Sequence, residues 1–395
     1  MEYYMTKNQK RLRCGITTGT CAAAAAKAAA TLLLLGEEYK SVTIHTPKGL
    51  DVPISVFLDT YAEDNAEFTV KKDSGDDPDV TNHAEITVHI KKIADSTECP
   101  PKAFYDNRFP NLVLDGGVGV GRVQRGGLEQ QVGQAAINEV PREMIFQAVY
   151  EVCRQAENYG KLYILVKVPQ GKELAKRTFN PKLGIEGGIS ILGTSGIVEP
   201  MSEKAIVDTI EAEIRQLSAR GKKNLLVTPG NYGQKYISEY LHLDLEKSIK
   251  CSNYIGETID LAVAYGMKNF LLVGNLGKLV KLAAGIMNTH SKVADARCEI
   301  LAVHSVLCGG NPELVLKIMQ CINTEEILQI LEQNNLREKV LKSLCEKIDR
   351  HISHRAGNNA LHKLNCGVVL FSETFGYLGQ TAGADALIRQ FGKEK

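Results

Sequence analysis

The chain has 395 residues, 47 Lys and Arg against 46 Asp and Glu, a formal net charge of +1, and 44% hydrophobic residues. That length supplies two or three domains, each able to bury a core without disulfide or metal staples. The balanced charge argues against a nucleic-acid binder that works by neutralising phosphates, and the composition argues against disorder. The ten cysteines show no C-x-x-C or C-x4-C spacing. They read as free thiols in a reducing cytosol, with no protein-bound metal expected.

Lys7, Lys10, Arg11 and Arg13 precede an apolar run from Cys21 to Leu35, a pattern that imitates a signal peptide. Lys27 interrupts the run, Gly15 to Thr20 separates it from the charges, and Gly36-Glu37-Glu38 ends it without a small-residue cleavage site. It is also too short to span a bilayer. The run therefore reads as a buried helix, capped at Thr18 or Thr20 and ended by Gly36, in a cytoplasmic protein without a membrane segment. From Ser41 to Lys92 the apolar period changes to two, as expected for half-exposed, mostly antiparallel strands. Ile93 to Asn111 reads as a loop and Leu112–Leu114 as a short strand. Pro141 opens a helix that ends near Gly160. A buried strand follows at Leu162–Val168 and a short helix at Glu173–Arg177. After Pro181 strands and helices alternate. Gly188–Leu192, Leu225–Val227, Ile249–Cys251, Phe270–Val273 and Gly367–Phe371 read as strands of a parallel sheet. Ala283 to Arg355 reads as mostly helical. The expected fold is α/β plus α+β: an N-terminal α+β domain over 1–183 with a mostly antiparallel sheet and a glycine-rich loop, then a C-terminal Rossmann-like parallel α/β domain over 184–395 with a helical last part.

Glycine clusters carry the functional signal. Asp115 to Gly121 contains D-x-G-x-G-x-G, a nucleotide-loop pattern, but Arg122 to Gly127 is no helix start. The cluster reads as a glycine-rich turn, or as an exposed loop that brings Arg122 and Arg125 to an anionic ligand. Gly193-Thr194-Ser195-Gly196, Thr228-Pro229-Gly230-Asn231 and Gly274-Asn275-Leu276-Gly277 each follow an expected strand. Three such loops should converge on one ligand crevice at the carboxyl edge of the parallel sheet, with ordinary short turns as the alternative. Lys278 and Lys281 share a helix face, and His290, Asp295 and Arg297 add acid–base and anion-binding groups. A satisfied structural histidine is the competing reading of His290. Asp73, Asp76, Asp77 and Asp79 bind a cation, act as base, or decorate a polar hairpin loop; their spacing is not that of an EF-hand.

Five ordered blocks resemble one known family. They are Arg13-Cys14-Gly15-Ile16-Thr17-Thr18-Gly19-Thr20-Cys21-Ala22-Ala23; Lys72–Thr81; Asp115–Leu128 with Asn138-Glu139-Val140-Pro141-Arg142; Gly184–Ser202; and Val273–Glu299. Together they resemble the CbiD family, the cobalt-precorrin-5B C1-methyltransferases of anaerobic cobalamin (vitamin B12) biosynthesis. The resemblance runs from residue 13 to about 300. It departs at Asn275, where the family pattern has His, and at Arg125-Gly126-Gly127-Leu128, where it has Lys-Pro-Gly-Leu. The first departure puts a histidine role at that position in doubt; the second loosens a turn.

The resemblance implies transfer of a methyl group from S-adenosylmethionine (SAM) to carbon C1 of cobalt-precorrin-5B, giving cobalt-precorrin-6A, on a fold distinct from the larger tetrapyrrole methyltransferase family. On this reading SAM sits at Gly193, Thr194, Ser195, Gly196, Glu199, Gly230 and Gly274, with Glu199 accepting ribose hydroxyls. The many carboxylates of the corrinoid would meet Arg11, Arg13, Arg122, Arg125, Lys278, Lys281 and Arg297, together with Thr17 and Thr18 at a helix start. An in-line displacement by an electron-rich ring carbon needs alignment and exclusion of water rather than a covalent nucleophile. If a proton must leave, Asp295 or His290 is the first choice of base and Asp76 or Asp77 the second. Two alternatives stand beside this reading. One is a nucleotide-dependent oxidoreductase or kinase using the same crevice, for which the G-x-G-x-x-G frame is incomplete at Gly193 and Gly196. The other is a non-catalytic corrinoid carrier, for which no histidine motif for cobalt stands out. The expected partner is a small-molecule corrinoid, with no nucleic acid and no membrane; there is room for a homo-oligomer and for transient contact with neighbouring pathway enzymes.

Overall fold

The computed structural model describes residues 3–7, 9–95, 98–181, 183–244, 248–357 and 363–393. The chain divides into two compact units, 1–202 and 203–395. The division falls after Ser202 rather than near residue 183. The reason is pairing: Gly188–Ile189 runs parallel to Gly119–Val120, and Ile197–Val198 runs antiparallel to Gly15–Ile16. The segment expected to open the parallel sheet at Gly188–Leu192 thus contributes a two-residue ladder to the first unit.

The first unit is organised around α1 (Thr18–Leu35). Alanine has the highest helix propensity and adds no bulk beyond Cβ. Ala22 to Ala26 and Ala28 to Ala30 are all buried at 1% exposure or less, so the backbone of α1 lies close to its neighbours. By length and composition α1 could cross a membrane, yet 83% of it is buried inside the protein. Its N-cap is Thr17, one residue before the expected Thr18, and Gly36 ends it in the left-handed region at φ 71°. It packs on α2 (Glu139–Gln155) and on a six-stranded sheet. That sheet runs in the order Phe57–Ala62, Asn65–Lys71, Glu85–Lys92, Leu162–Lys167, Leu112–Gly116, Phe104–Tyr105. Leu162–Lys167 and Leu112–Gly116 pair in parallel and the other neighbours antiparallel. Alternate residues, such as Ala66, Phe68 and Val70 or Ile86, Val88 and Ile90, enter the same core as α1.

The second unit holds a five-stranded sheet in the order Ser248–Lys250, Asn224–Thr228, Asn269–Asn275, Asn365–Ser372, Gly376–Gln380. The first four strands are parallel and the last is antiparallel. Leu225, Val227, Phe270, Leu272, Val368 and Leu370 face one core, built with the helices between 255 and 355. Leu226, Leu271, Val273, Val369 and Phe371 face another, with Tyr236, Leu387 and Phe391. Burial on both faces explains why these strands are apolar throughout rather than alternating. The chain lays strand 224–228 first, places 248–250 on one side of it and 269–275 on the other. The strand order therefore reverses between 224–228 and 269–275, and in open α/β sheets ligands bind at the carboxyl ends of strands flanking such a reversal.

The alanine surface of α1 sets a sharp test. Ala25 is fully buried; Ala25→Leu should cost about 1–3 kcal/mol by overpacking. Urea unfolding should show a lower midpoint at an unchanged slope.

Candidate functional site

In the first unit the glycine loop at 193–196 closes over the start of α1. Thr18 Oγ1 donates to Leu192 O at 3.1 Å and accepts from Leu192 N at 2.9 Å. Thr20 Oγ1 donates to Gly196 O at 2.6 Å, and Thr17 Oγ1 accepts from Thr20 N at 3.2 Å. Thr17 and Thr18 are buried; the Thr17 hydroxyl caps α1 and the Thr18 hydroxyl holds the loop. Gly193, at φ 135°, is required here: a Cβ on it would lie 2.3 Å from the Thr17 side chain. Ser195 Oγ donates to Ile197 O at 2.9 Å, and Thr194 is exposed. Glu199 is ion-paired with Lys48. This loop follows no strand of the five-stranded parallel sheet, and its glycines allow a close approach to α1.

The acidic segment 73–79 is part of the same packing. Arg13 forks onto Asp73 at 2.5 and 2.8 Å. Asp76 Oδ2 accepts from Arg13 N at 2.7 Å, and Asp77 Oδ1 accepts from Met201 N at 2.9 Å. A Cβ on Gly15 would lie 2.2 Å from the Ser74 backbone, so only glycine lets the two segments meet. Beneath them Lys72, 1% exposed, donates to Asp79 at 2.6 Å and to Ser74 Oγ at 2.5 Å. Burial alone would raise the Asp79 carboxyl; Lys72 and Thr81 hold it below the usual range. Arg13 holds Asp73 low as well. Both carboxylates are thus ionised supports of the loop.

The Asp115–Gly121 cluster is likewise structural. Arg122 forks onto the fully buried Asp115 at 2.8 and 2.9 Å and donates to Gly116 O at 2.5 Å. It closes its own glycine turn, which corrects the expectation that it reaches outward to an anion. Arg125 is exposed.

In the second unit two of the three loops follow neighbouring parallel strands, 224–228 and 269–275. Gly230 follows strand 224–228, and a Cβ there would meet nothing within 4 Å. Gly274 ends strand 269–275, where a Cβ would meet Leu279 at 2.8 Å. Asn275, at the position of the missing histidine, caps the next turn by accepting from Gly277 N at 2.8 Å. Lys278 is half-buried, and burial pulls its ammonium below the usual lysine range. Lys281 is 3% exposed and donates to Thr289 O at 3.0 Å, so it ties the 280s loop down rather than facing a ligand. Arg297 forks onto Asp295 at 2.6 and 2.8 Å and holds that carboxyl below its ordinary value. His290 Nδ1 accepts from Lys292 N at 3.1 Å, so the neutral ring carries its proton on Nε2. Cys251, buried beside Lys278, has its thiol pushed up to about 12 by burial and stays neutral.

The family model for CbiD matches residues 5–200, and that for the CbiD C-terminal domain matches residues 288–382. The cobalt-precorrin-5B C(1)-methyltransferase of Ruminiclostridium cellulolyticum is 44% identical over 100% of this chain and 99% of its own. The chain belongs to the CbiD family. The protein of the same name from Alkaliphilus metalliredigens is 39% identical, over 98% of this chain and 97% of its own. A crystal structure of the cobalamin biosynthesis protein (cbiD) from Archaeoglobus fulgidus matches at 26% identity and a TM-score of 0.40, covering 74% of this chain and 87% of that one. The CbiD matches take in the whole packing around α1 and also His290, Asp295 and Arg297; Gly230, Gly274 and Lys278 lie between them.

Sequence reasoning missed the Lys48–Glu199 pair, whose members are 151 positions apart, and the Lys72–Asp79 pair, which lay hidden inside an acidic run. The second pair sets a pH dependence. A carboxyl whose folded pKa is lowered adds stability that is full above its unfolded pKa and lost as pH falls through the folded one. First-unit stability should fall below about pH 4. Asp79→Asn should flatten that fall and, by leaving Lys72 uncompensated, cost about 3 kcal/mol at pH 7. Urea unfolding between pH 7 and 3 measures both.

Proposed function

We propose that this chain transfers the methyl group of SAM to carbon C1 of cobalt-precorrin-5B, giving cobalt-precorrin-6A. The observation that carries the reading is similarity along the whole chain, at 44% identity, to a relative bearing the name of that activity. The second unit is read as Rossmann-like, on its four parallel strands and its two covered faces. SAM is placed at the carboxyl edge between strands 224–228 and 269–275, where the order reverses and the backbone at Gly230 is open. When bound, SAM supplies an electrophilic methyl on a sulfonium.

The residues of the second unit then do two things. Gly230 and the turn at Gly274–Gly277 give the close backbone approach that a nucleoside needs. Asp295, kept ionised by Arg297, accepts the proton that leaves the methylated ring; His290 is not assigned this role, since its Nδ1 already accepts from Lys292 N. Gly193–Gly196 and Glu199 support the start of α1 and Lys48, and the cofactor site is assigned without them.

Calorimetric titration with S-adenosylhomocysteine, NAD and ATP tests the class of ligand. Selective binding of S-adenosylhomocysteine is expected; selective binding of NAD or ATP would replace this reading with a dehydrogenase or a kinase. Asp295→Asn should lower turnover of cobalt-precorrin-5B by roughly 10²-fold or more. Its affinity for S-adenosylhomocysteine should stay within about twofold of the parent, a difference below ~0.5 kcal/mol.

A further inference from the structure

Two charged groups at the carboxyl edge of the parallel sheet make no ion pair with another described residue. Lys278 sits on the short helix Leu276–Leu279 after strand 269–275, half-buried, with neither hydrogen bond nor ion pair to another described residue. Glu257 sits in the first turn of the helix Ile255–Ala264 that follows strand 248–250. Its Oε2 is buried and accepts no hydrogen bond from another described residue. Both lie within electrostatic reach of Cys251, and no ion pair joins them to each other. Their neighbours are already engaged: Arg355 forks onto Asp260 at 2.8 and 2.5 Å, and Lys281 donates to Thr289 O.

The loops that carry the two groups are held in place. Thr289 N donates to Asn253 O at 3.0 Å, Gly256 N donates to Met287 O at 3.2 Å, and Thr289 Oγ1 donates to Asn253 Oδ1 at 3.3 Å. Ser252, next to Cys251, is held at φ 53°, a left-handed conformation that a serine adopts at a cost. A buried carboxylate oxygen without a donor and a half-buried ammonium without an acceptor each lose solvation that a ligand can restore. One group of each sign, kept from pairing by the frame around them, matches a ligand that carries both signs.

We infer that Lys278 and Glu257 bind the carboxylate and the ammonium of an α-amino acid, the methionyl end of the methyl donor. The inference rests on the methyl-transfer reading above and adds the part of the donor that this edge recognises.

The test compares S-adenosylhomocysteine with 5′-methylthioadenosine, which keeps the nucleoside and the thioether but lacks the amino-acid end. Calorimetry on the full chain should show the first binding at least about tenfold more tightly. Lys278→Met and Glu257→Gln should each weaken S-adenosylhomocysteine about tenfold and leave 5′-methylthioadenosine unchanged, which also shows that the variants are folded. Variants that bind S-adenosylhomocysteine like the parent would overturn this inference alone and leave the methyl-transfer reading standing. Equal loss of both ligands would assign the residues to the nucleoside or to the fold, and would overturn it too. A parent chain that binds neither compound would overturn the placement of the donor together with the inference.

Discussion

The absence of bulk along α1 is the constraint on which the first unit depends. Eight buried alanines bring its backbone against α2 and the six-stranded sheet. The helix start then lies within reach of the 192–196 loop, where Thr18 and Thr20 bond its carbonyls and Gly193 makes room for Thr17. The close contact between Gly15 and Ser74 follows, and with it the position of the acidic segment on Arg13. A larger side chain at the helix surface would push on all of these at once, because a close-packed interior passes strain to its neighbours.

Much of this was legible in the sequence. The period-two pattern between Ser41 and Lys92, the alanine helix, and the apolar strands at 225–227 and 270–273 all have local causes, and they fold where they were expected. The fate of Gly188–Leu192 has no local cause. An apolar stretch followed by a glycine turn looks the same whether it enters a parallel sheet or caps a helix, and the deciding partner, Thr18, is 174 positions away. Arg122 misled for the opposite reason. Its partner Asp115 lies inside the same motif, and the bond that closes the turn is invisible when the motif is read as a phosphate loop. At the sheet edge the placement of the loops that carry Gly230, Gly274 and Lys278 was readable from spacing. Glu257 was not, since an acidic residue in a first helical turn is already accounted for by the helix dipole.

In the second unit, pairing and burial set the charge state of different groups. Asp295 is held ionised by Arg297, whereas Cys251, the residue directly after strand 248–250, is kept as a thiol. A thiolate beside a sulfonium would compete with the ring carbon for the methyl group, because the deprotonated sulfur is the nucleophile. Burial of Cys251 removes that competitor from the edge where the donor is proposed to lie.

The bonds between α1 and the 192–196 loop also bear on synthesis. The helix is made early, but α2 follows at residue 139 and the loop that closes its start at residue 192. In the interval a segment apolar enough to pass for a membrane span has none of these partners. Contacts this distant in sequence place the first unit among slow folders, and an unpaired apolar helix on a growing chain is a target for aggregation and for chaperones. The segment that makes the finished unit compact is the one most in need of protection while the chain is being made.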